Sequence, residues 1–259
     1  MTRPKVTGTQ SIRRATLLMK TIAAHNQVGI RLTDLASYLP LDRTTIHRIV
    51  KSLVAEGFIA QDSQSRRFYL GQTLFELGLG AAQRFNLRDV YRPILERIAE
   101  KTGDTVFLNI RSDNEVVCIE RQQGAYPVRV LTVDVGGRRP LGTSASGIAI
   151  LSALSDEKVK EIIAEIESSK HTMKPLRVRK ILECIRQARE KGYVVHESEI
   201  VDIRAMAVVV KDKNGNPWAA IGVTAISSRM TDTRLREVAG IVKNAARELE
   251  NLLVERLHA

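Results

Sequence analysis

The chain has 259 residues, enough for a sizeable core and for two domains of ordinary size, and its 40 Lys and Arg against 29 Asp and Glu give a formal charge of +11. So basic a balance predicts attraction to a polyanion, of which nucleic acid is the simplest, and no run approaches the roughly 18 apolar residues of a membrane span. The basic N-terminal region lacks a following apolar segment, so no signal peptide is expected, no membrane partner is implied, and the expected location is cytoplasmic.

Residues 1–10 are polar, carry Arg3 and Lys5, and suit a basic arm. Ser11 can cap a helix to about Ala24, with Ile12, Ala15, Leu18, Met19 and Ile22 on one face and Arg13, Arg14 and Lys20 elsewhere. Leu32, Leu35, Ala36 and Leu39 then repeat at helical spacing, Pro40-Leu41-Asp42 breaks the pattern, and Ile46, Ile49, Val50 and Leu53 resume it. Thr33 can cap the first of these helices, and Asp42 or Arg43 starts the second. The pair reads as a helix-turn-helix whose second helix enters a DNA major groove.

Glu56-Gly57 stops that helix. Phe58 to Gln61 and Arg66 to Leu70 read as two short strands around the polar turn Asp62 to Ser65, so three helices and a hairpin make a winged helix-turn-helix. Arg43, Thr44, Thr45, His47, Arg48 and Lys51 lie on the polar side of the recognition helix, Arg66 and Arg67 on the wing. With Arg13 and Thr33 they form the candidate DNA-binding set. A threonine hydroxyl near the helix start reaches phosphate, and an arginine one turn on can pair with guanine. His47 is open between a DNA contact and an ordinary surface residue. Over the first 84 residues twelve basic residues face five acidic ones, so +7 of the +11 sits in the third of the chain with the motif.

Gln72 to Gln83 reads as a linker helix whose apolar face needs a partner, either its own domain or a symmetry-related copy that fixes the spacing of two recognition helices. From Leu87 the pattern changes to a helix over 87–101, strands at 105–111, 115–121 and 126–133, and a small-residue helix opening within Leu141 to Ala153. Helices at 156–167 and 177–191, strands at 193–197, 204–211 and 217–225, and a helix over 231–256 complete an α+β domain with a central sheet. The expected division is 1–72 winged helix-turn-helix, 73–85 linker helix, and 86–259 second domain.

Gly136 to Gly147 delivers a small-residue turn into a helix start, where backbone N–H groups and the hydroxyls of Thr143, Ser144 and Ser146 can hold a carboxylate. A tight helix-to-sheet contact explains the same residues. There is no GxSxG, P-loop, HExxH or Rossmann fingerprint, and the five histidines do not cluster, so no enzyme and no cofactor is expected. His196 with Glu197, Glu199 and Asp202 is the densest titratable group; its spacing fits a polar strand end better than a metal site. Asp104 and Asp113 read as turn residues. Cys118 and Cys184, without a CxxC partner, read as thiols in or near a core.

The segments SIRRATLLMKTIA, LTDLASYLPLDRTTIHRIVKSLVAEGFI, FYLGQTLFELG and PLGTSASGIAIL, then GYVVHESE with RAMAVVVKDKNGNPWAAIGVTA, resemble in order the IclR family of bacterial transcriptional regulators. The resemblance runs from Ser11 to the C-terminal helix. It implies a GAF-like effector-binding domain behind the winged helix, self-association to a dimer or dimer of dimers, and control of a catabolic operon by a small organic or aromatic acid. It also implies a ligand pocket lined by Val128, Leu131, Arg139, Ala145, Ser146, His196, Ile203, Ala205, Gly222 and Thr224. Relatives often carry cysteine at Ala205, glycine at Asp202 and serines at Gly222 and Thr224, which leaves the effector's skeleton open; Arg139 and the Thr143 to Ser146 hydroxyls suit a carboxylate.

A ligand-responsive regulator acting on double-stranded DNA, with a pseudo-palindromic operator, is therefore the leading reading. An architectural DNA-binding protein whose second domain only oligomerises, and an enzyme acting on a small acid, are the alternatives.

Overall fold

Leu18 and Ile22, one turn apart on α1 (Gln10–Ala24), meet Leu35 of α2 (Leu32–Tyr38) and Ile46 and Val50 of α3 (Arg43–Ala55) in one buried cluster. This is the computed structural model of the chain; it describes residues 9–85, 88–168, 175–198 and 202–256. The chain divides into two units, Met1–Asn86 and Leu87–Ala259.

In the first unit, β1 (Ile59–Gln61) pairs antiparallel with β2 (Phe68–Leu70), and Ile59 and Phe68 close the three-helix core. The hairpin is fastened to the α1–α2 loop by an Ile30 to Phe68 bridge and by the Leu70 N–H donating to Asn26. Gly29, at φ +67, lies under the Tyr69 ring where a Cβ would come within 2.4 Å, so only glycine serves there. The linker helix α4 spans Gln72–Phe85.

Two expected caps move. Ser11 lies inside α1, with Thr9 at the N-cap position. Thr33 lies inside α2, whose cap is Arg31; Asp34 takes the Arg31 N–H at 3.3 Å, so the acid of the first turn satisfies the helix start and the threonine is not needed. Ile12, expected on the buried face of α1, is 65% exposed.

The second unit contains α5 (Arg88–Thr102), β3 (Thr105–Ser112), β4 (Glu115–Gln123), β5 (Arg138–Pro140), α6 (Ala145–Ser152), α7 (Asp156–Ser168) and α8 (Pro175–Lys191). It continues with β6 (Val194–Glu197), β7 (Ile203–Lys211), β8 (Pro217–Ile226) and α9 (Asp232–Arg256). The strands form one antiparallel sheet in the order β5-β4-β3-β8-β7-β6. Period-two alternation divides it into two faces. Met206, Val208 and Val210 of β7 and Ala219, Ile221, Val223 and Ala225 of β8 pack with α5 and α9. On the other face Ala207 and Ala220 pack with α6, α7 and α8.

Residues 126–133, expected as a strand, form none. Pro127 lacks a ladder donor, Val128 and Leu131 are each 51% exposed, and β5 takes the place beside β4 through Val116 opposite Arg139. The helix expected from Leu141 starts at Ala145, after a turn. Asp113 sits in the β3–β4 turn at φ 56. Asp104 is more than a turn residue: almost fully buried, it accepts from Arg229 at 2.6 Å and Arg234 at 3.0 Å, while Arg229 stacks on Tyr126 at 4.0 Å. That fork ties the turn between α5 and β3 to the start of α9.

Candidate functional site

The recognition helix is fixed at its first turn by Asp42, whose carboxylate accepts from the Thr44 hydroxyl at 2.7 Å and the Thr45 N–H at 2.8 Å. These hydrogen bonds hold the carboxyl well below the usual carboxylate range. With Ile46 and Val50 buried, Arg43, Thr44, His47, Arg48 and Lys51 are exposed and Thr45 is half-buried. Positions 44, 47, 48 and 51 recur at helical spacing and so share one solvent face. The Thr44 hydrogen is committed to Asp42, so that hydroxyl is not free to donate to phosphate while the cap stands. Arg13 and Thr33 are exposed on α1 and α2.

On the wing the two arginines part company. Arg66 is exposed at φ 58, beyond a turn in which Asp62 accepts from both the N–H and hydroxyl of Ser65. Arg67 turns inward, its guanidinium donating to the Val28 carbonyl at 3.2 Å and the Gly29 carbonyl at 2.7 Å. Of the two wing arginines expected to make phosphate or minor-groove contact, Arg66 is exposed, whereas Arg67 braces the hairpin through these two carbonyls.

A cavity of about 810 Å³ opens on the α6 face of the second unit's sheet. Phe107 and Asn109 of β3, Ile203 and Ala205 of β7 and Gly222 and Thr224 of β8 line it from the sheet, with His196 of β6 at the side. Residues 128–133 contribute Val128 and Leu131, the start of α6 contributes Thr143, Ser144, Ala145 and Ser146, and β5 contributes Arg139. All twelve residues expected to line a pocket therefore come together here. Arg129, Arg177 and Lys180 add positive charge, Glu197 and Asp202 negative.

The small residues at the α6 start serve close packing as well. A Cβ on Gly147 would lie 3.1 Å from the Gly142 nitrogen, and one on Gly222 would lie 3.0 Å from the Ser146 hydroxyl oxygen. Ser144 is the N-cap, accepting from the Gly147 N–H at 3.2 Å, and the Thr143 hydroxyl donates to the Pro140 carbonyl at 2.7 Å. Ser146 and Asn109 are more than nine-tenths buried, and the Asn109 amide donates to the Ser146 oxygen at 3.0 Å.

Arg139 donates to the Thr132 carbonyl and has no carboxylate partner among the described residues. Burial pulls its pKa down. Its neighbour Arg138, by contrast, pairs with Glu115 at 2.8 Å. Burial also pushes the Cys118 thiol up to about 11 and raises that of Cys184, which lines the cavity and donates to the Val195 carbonyl at 3.8 Å. Neither is a poised thiolate. Among the described residues no group of three or more His, Cys, Asp and Glu is placed to hold a metal; Glu199, of the His196 cluster, lies outside them. No described helix is long and apolar enough to cross a membrane.

Residues 11–63 match the IclR helix-turn-helix domain, and residues 79–251 match the family described as bacterial transcriptional regulator IclR C-terminal. The chain belongs to the IclR family. It is 29% identical over 255 residues to the transcriptional repressor IclR of Escherichia coli K12, covering 96% of this chain and 91% of that one. The acetate operon repressor of Salmonella typhimurium is 30% identical over 252 residues, 94% of this chain and 90% of its own. A crystal structure of an IclR-type regulator from Silicibacter superposes with a TM-score of 0.78 at 20% identity, over 94% of this chain and 96% of that one. As an IclR-family member the chain is a ligand-responsive, DNA-binding transcription regulator and not an enzyme.

In this IclR-family chain sequence reasoning missed Phe107, Asn109, Arg177 and Lys180 as cavity residues. Asn109 carried a usable signal: an amide within the apolar run Val106 to Ile110 must find partners if that strand is central. Arg177 and Lys180 carried none, because helical spacing alone does not say which polar residues of α8 look over a cavity.

Proposed function

We propose that this regulator senses a small organic or aromatic acid in the cavity and transmits its presence to a pseudo-palindromic operator controlling a catabolic operon. The observation that carries the reading is Arg139, a cation drawn out of water beside a cavity with no carboxylate partner among the described residues. A half-desolvated guanidinium gains most from a bidentate carboxylate, which supplies the countercharge the protein withholds. The GAF-like sensor reading of Leu87–Ala259 is part of this proposal, supported by an antiparallel sheet with helices on both faces and a cavity on one.

Arg48, Thr45 and His47 would reach base edges, while Arg43, Lys51, Arg13, Thr33 and Arg66 would hold backbone phosphates. The unit of binding is a dimer, or a dimer of dimers, in which α4 contacts its symmetry mate; Phe75 and Leu79, one turn apart on that helix, are 67% and 57% exposed. Effector binding acts by favouring one arrangement of the sensor domains of the assembly, which the linker helices pass on to the spacing of the two recognition helices; this requires unequal affinity for the two arrangements.

Fluorescence anisotropy of the full chain on DNA from upstream of its own gene, at physiological salt, tests the reading. Specific binding that changes on adding a panel of small aromatic and aliphatic acids is expected. Binding no tighter than to unrelated DNA, or specific binding indifferent to every acid, would overturn it.

A further inference from the structure

Resting on that acid-sensing reading, we propose that Asn109 and Ser146 form a specificity-determining pair that reads a hydroxyl group on the effector, so that hydroxylated acids are preferred over their unsubstituted counterparts. Both side chains line the cavity, at 7% and 5% exposure, on different elements, the middle of β3 and the first turn of α6. Their mutual hydrogen bond uses one amide hydrogen of Asn109 and one lone pair of Ser146. A serine in a helix ordinarily donates to the carbonyl one turn back. No such bond forms here, and among the described residues neither the Ser146 hydrogen nor the Asn109 carbonyl oxygen has a protein partner.

A buried hydroxyl and a buried amide left half-satisfied are costly unless something in the cavity completes them. The open functions are two donors, the Ser146 hydrogen and the second Asn109 amide hydrogen, and one acceptor, the Asn109 carbonyl oxygen, held side by side by the bond between their owners. A hydroxyl, which both accepts and donates, satisfies the pair at once, whereas an ether, a halide or a bare ring edge satisfies half of it or none. Gly222 permits the arrangement, since its missing side chain leaves the Ser146 oxygen in place.

The surroundings set the rest of the ligand. Phe107, Ile148 and Ile181 supply apolar wall, Arg139 supplies the anion site, and the 810 Å³ is the share of liquid of roughly 25 waters. An acid of ring size, with its carboxylate on Arg139 and a ring hydroxyl on the Asn109–Ser146 pair, meets each of these features.

The test is calorimetric titration of the full chain with benzoate, phenylacetate and 3-phenylpropanoate, each beside its ring-hydroxylated forms, in wild type, Ser146→Ala and Asn109→Leu. Wild type is expected to bind at least one hydroxylated acid ten-fold or more tighter than its parent. In Ser146→Ala that ratio, hydroxylated acid against parent acid in the same variant, falls to about three-fold or less. Asn109→Leu, which removes the amide at similar volume, does the same. Thermal melts establish that each variant is folded, and Ser146→Ala, which only deletes an oxygen, suffices should Asn109→Leu not fold. Acids that bind and alter DNA affinity without regard to the hydroxyl, or a preference unchanged in Ser146→Ala, refute the pair's role while leaving the acid-sensing reading intact. Binding of no acid in either series refutes both.

Discussion

Arg139→Leu separates ligand recognition from stability, because the two are expected to move in opposite directions. The guanidinium is partly withdrawn from water, its pKa lowered by that burial, and it is balanced by the Thr132 carbonyl and no acid among the described residues. In the unliganded protein a leucine there removes a desolvation cost and loses one hydrogen bond to a carbonyl, so stability should stay level or rise by about 1 kcal/mol, roughly 2–4 °C in Tm. A charged hydrogen-bond partner contributes about 1.5–3 kcal/mol to binding, so acid affinity should fall by roughly 10- to 150-fold. At an acid concentration of about 100 times the wild-type Kd, wild type gains about 2.7 kcal/mol, or roughly 5–11 °C, and the variant should gain only about 0.3–1.4 kcal/mol, at most about half as much. Thermal melts of both proteins with and without acid read both quantities. An acid-induced rise in Arg139→Leu equal to that of wild type, or an unliganded Tm lowered by more than about 4 °C, would show that the guanidinium holds residues 128–133 in place and does not receive the ligand.

Arg66→Glu should weaken DNA binding to all sequences alike and reduce the log–log salt slope by about 1 or more, whereas Arg48→Ala should change the ranking among operator variants; filter binding across a salt series and a library of single-base variants checks both. The Asp42 cap depends on a carboxyl whose folded pKa is depressed by its Thr44 and Thr45 hydrogen bonds, so its contribution is complete above the ordinary aspartate pKa and disappears only as pH falls through the lower folded value. Asp42→Ala should therefore lower the melting temperature of the first unit by the same amount at pH 5 and pH 8, and the difference from wild type should shrink in acid below about pH 3. Phe75→Glu with Leu79→Glu should dissociate the assembly in analytical ultracentrifugation and lower operator affinity; an unchanged sedimentation coefficient would remove α4 from the interface.

Much of the scaffold was legible because its signals are local. The break at Pro40 and the 3.6-residue spacing around it delimit α2 and α3, and the polar turn at Asp62 delimits the hairpin. The misses share a physical cause, which is that nearby polar groups compete for one role. Ser11 and Thr9 both suit a helix start, and so do Thr33 and the Asp34 beside it; the geometry of the incoming chain decides between them. Val128 to Val133 has the composition of a strand, yet those side chains border a cavity, and apolarity does not distinguish a strand's partner from a cavity's wall. Arg67 carries the same charge as Arg66 and points elsewhere because Arg66 takes a left-handed backbone at φ 58, which turns the chain just before β2 begins at Phe68. The helix start with Thr143, Ser144 and Ser146 was legible locally, but the other pocket residues were legible only through family resemblance, since they come from segments up to 96 positions apart, Val128 to Thr224, and no local pattern reports on such convergence.

The two-faced register of β7 and β8 bears on how such a sensor can diversify. Met206, Ile221 and Val223 anchor one layer, while their immediate neighbours Ala205, Gly222 and Thr224 border the space a guest would occupy. A mutation at the second set alters the shape and polarity offered to a visiting molecule and leaves the packing behind the sheet untouched. Selection can therefore revise what is sensed one residue at a time, with the backbone between the two layers acting as a firewall.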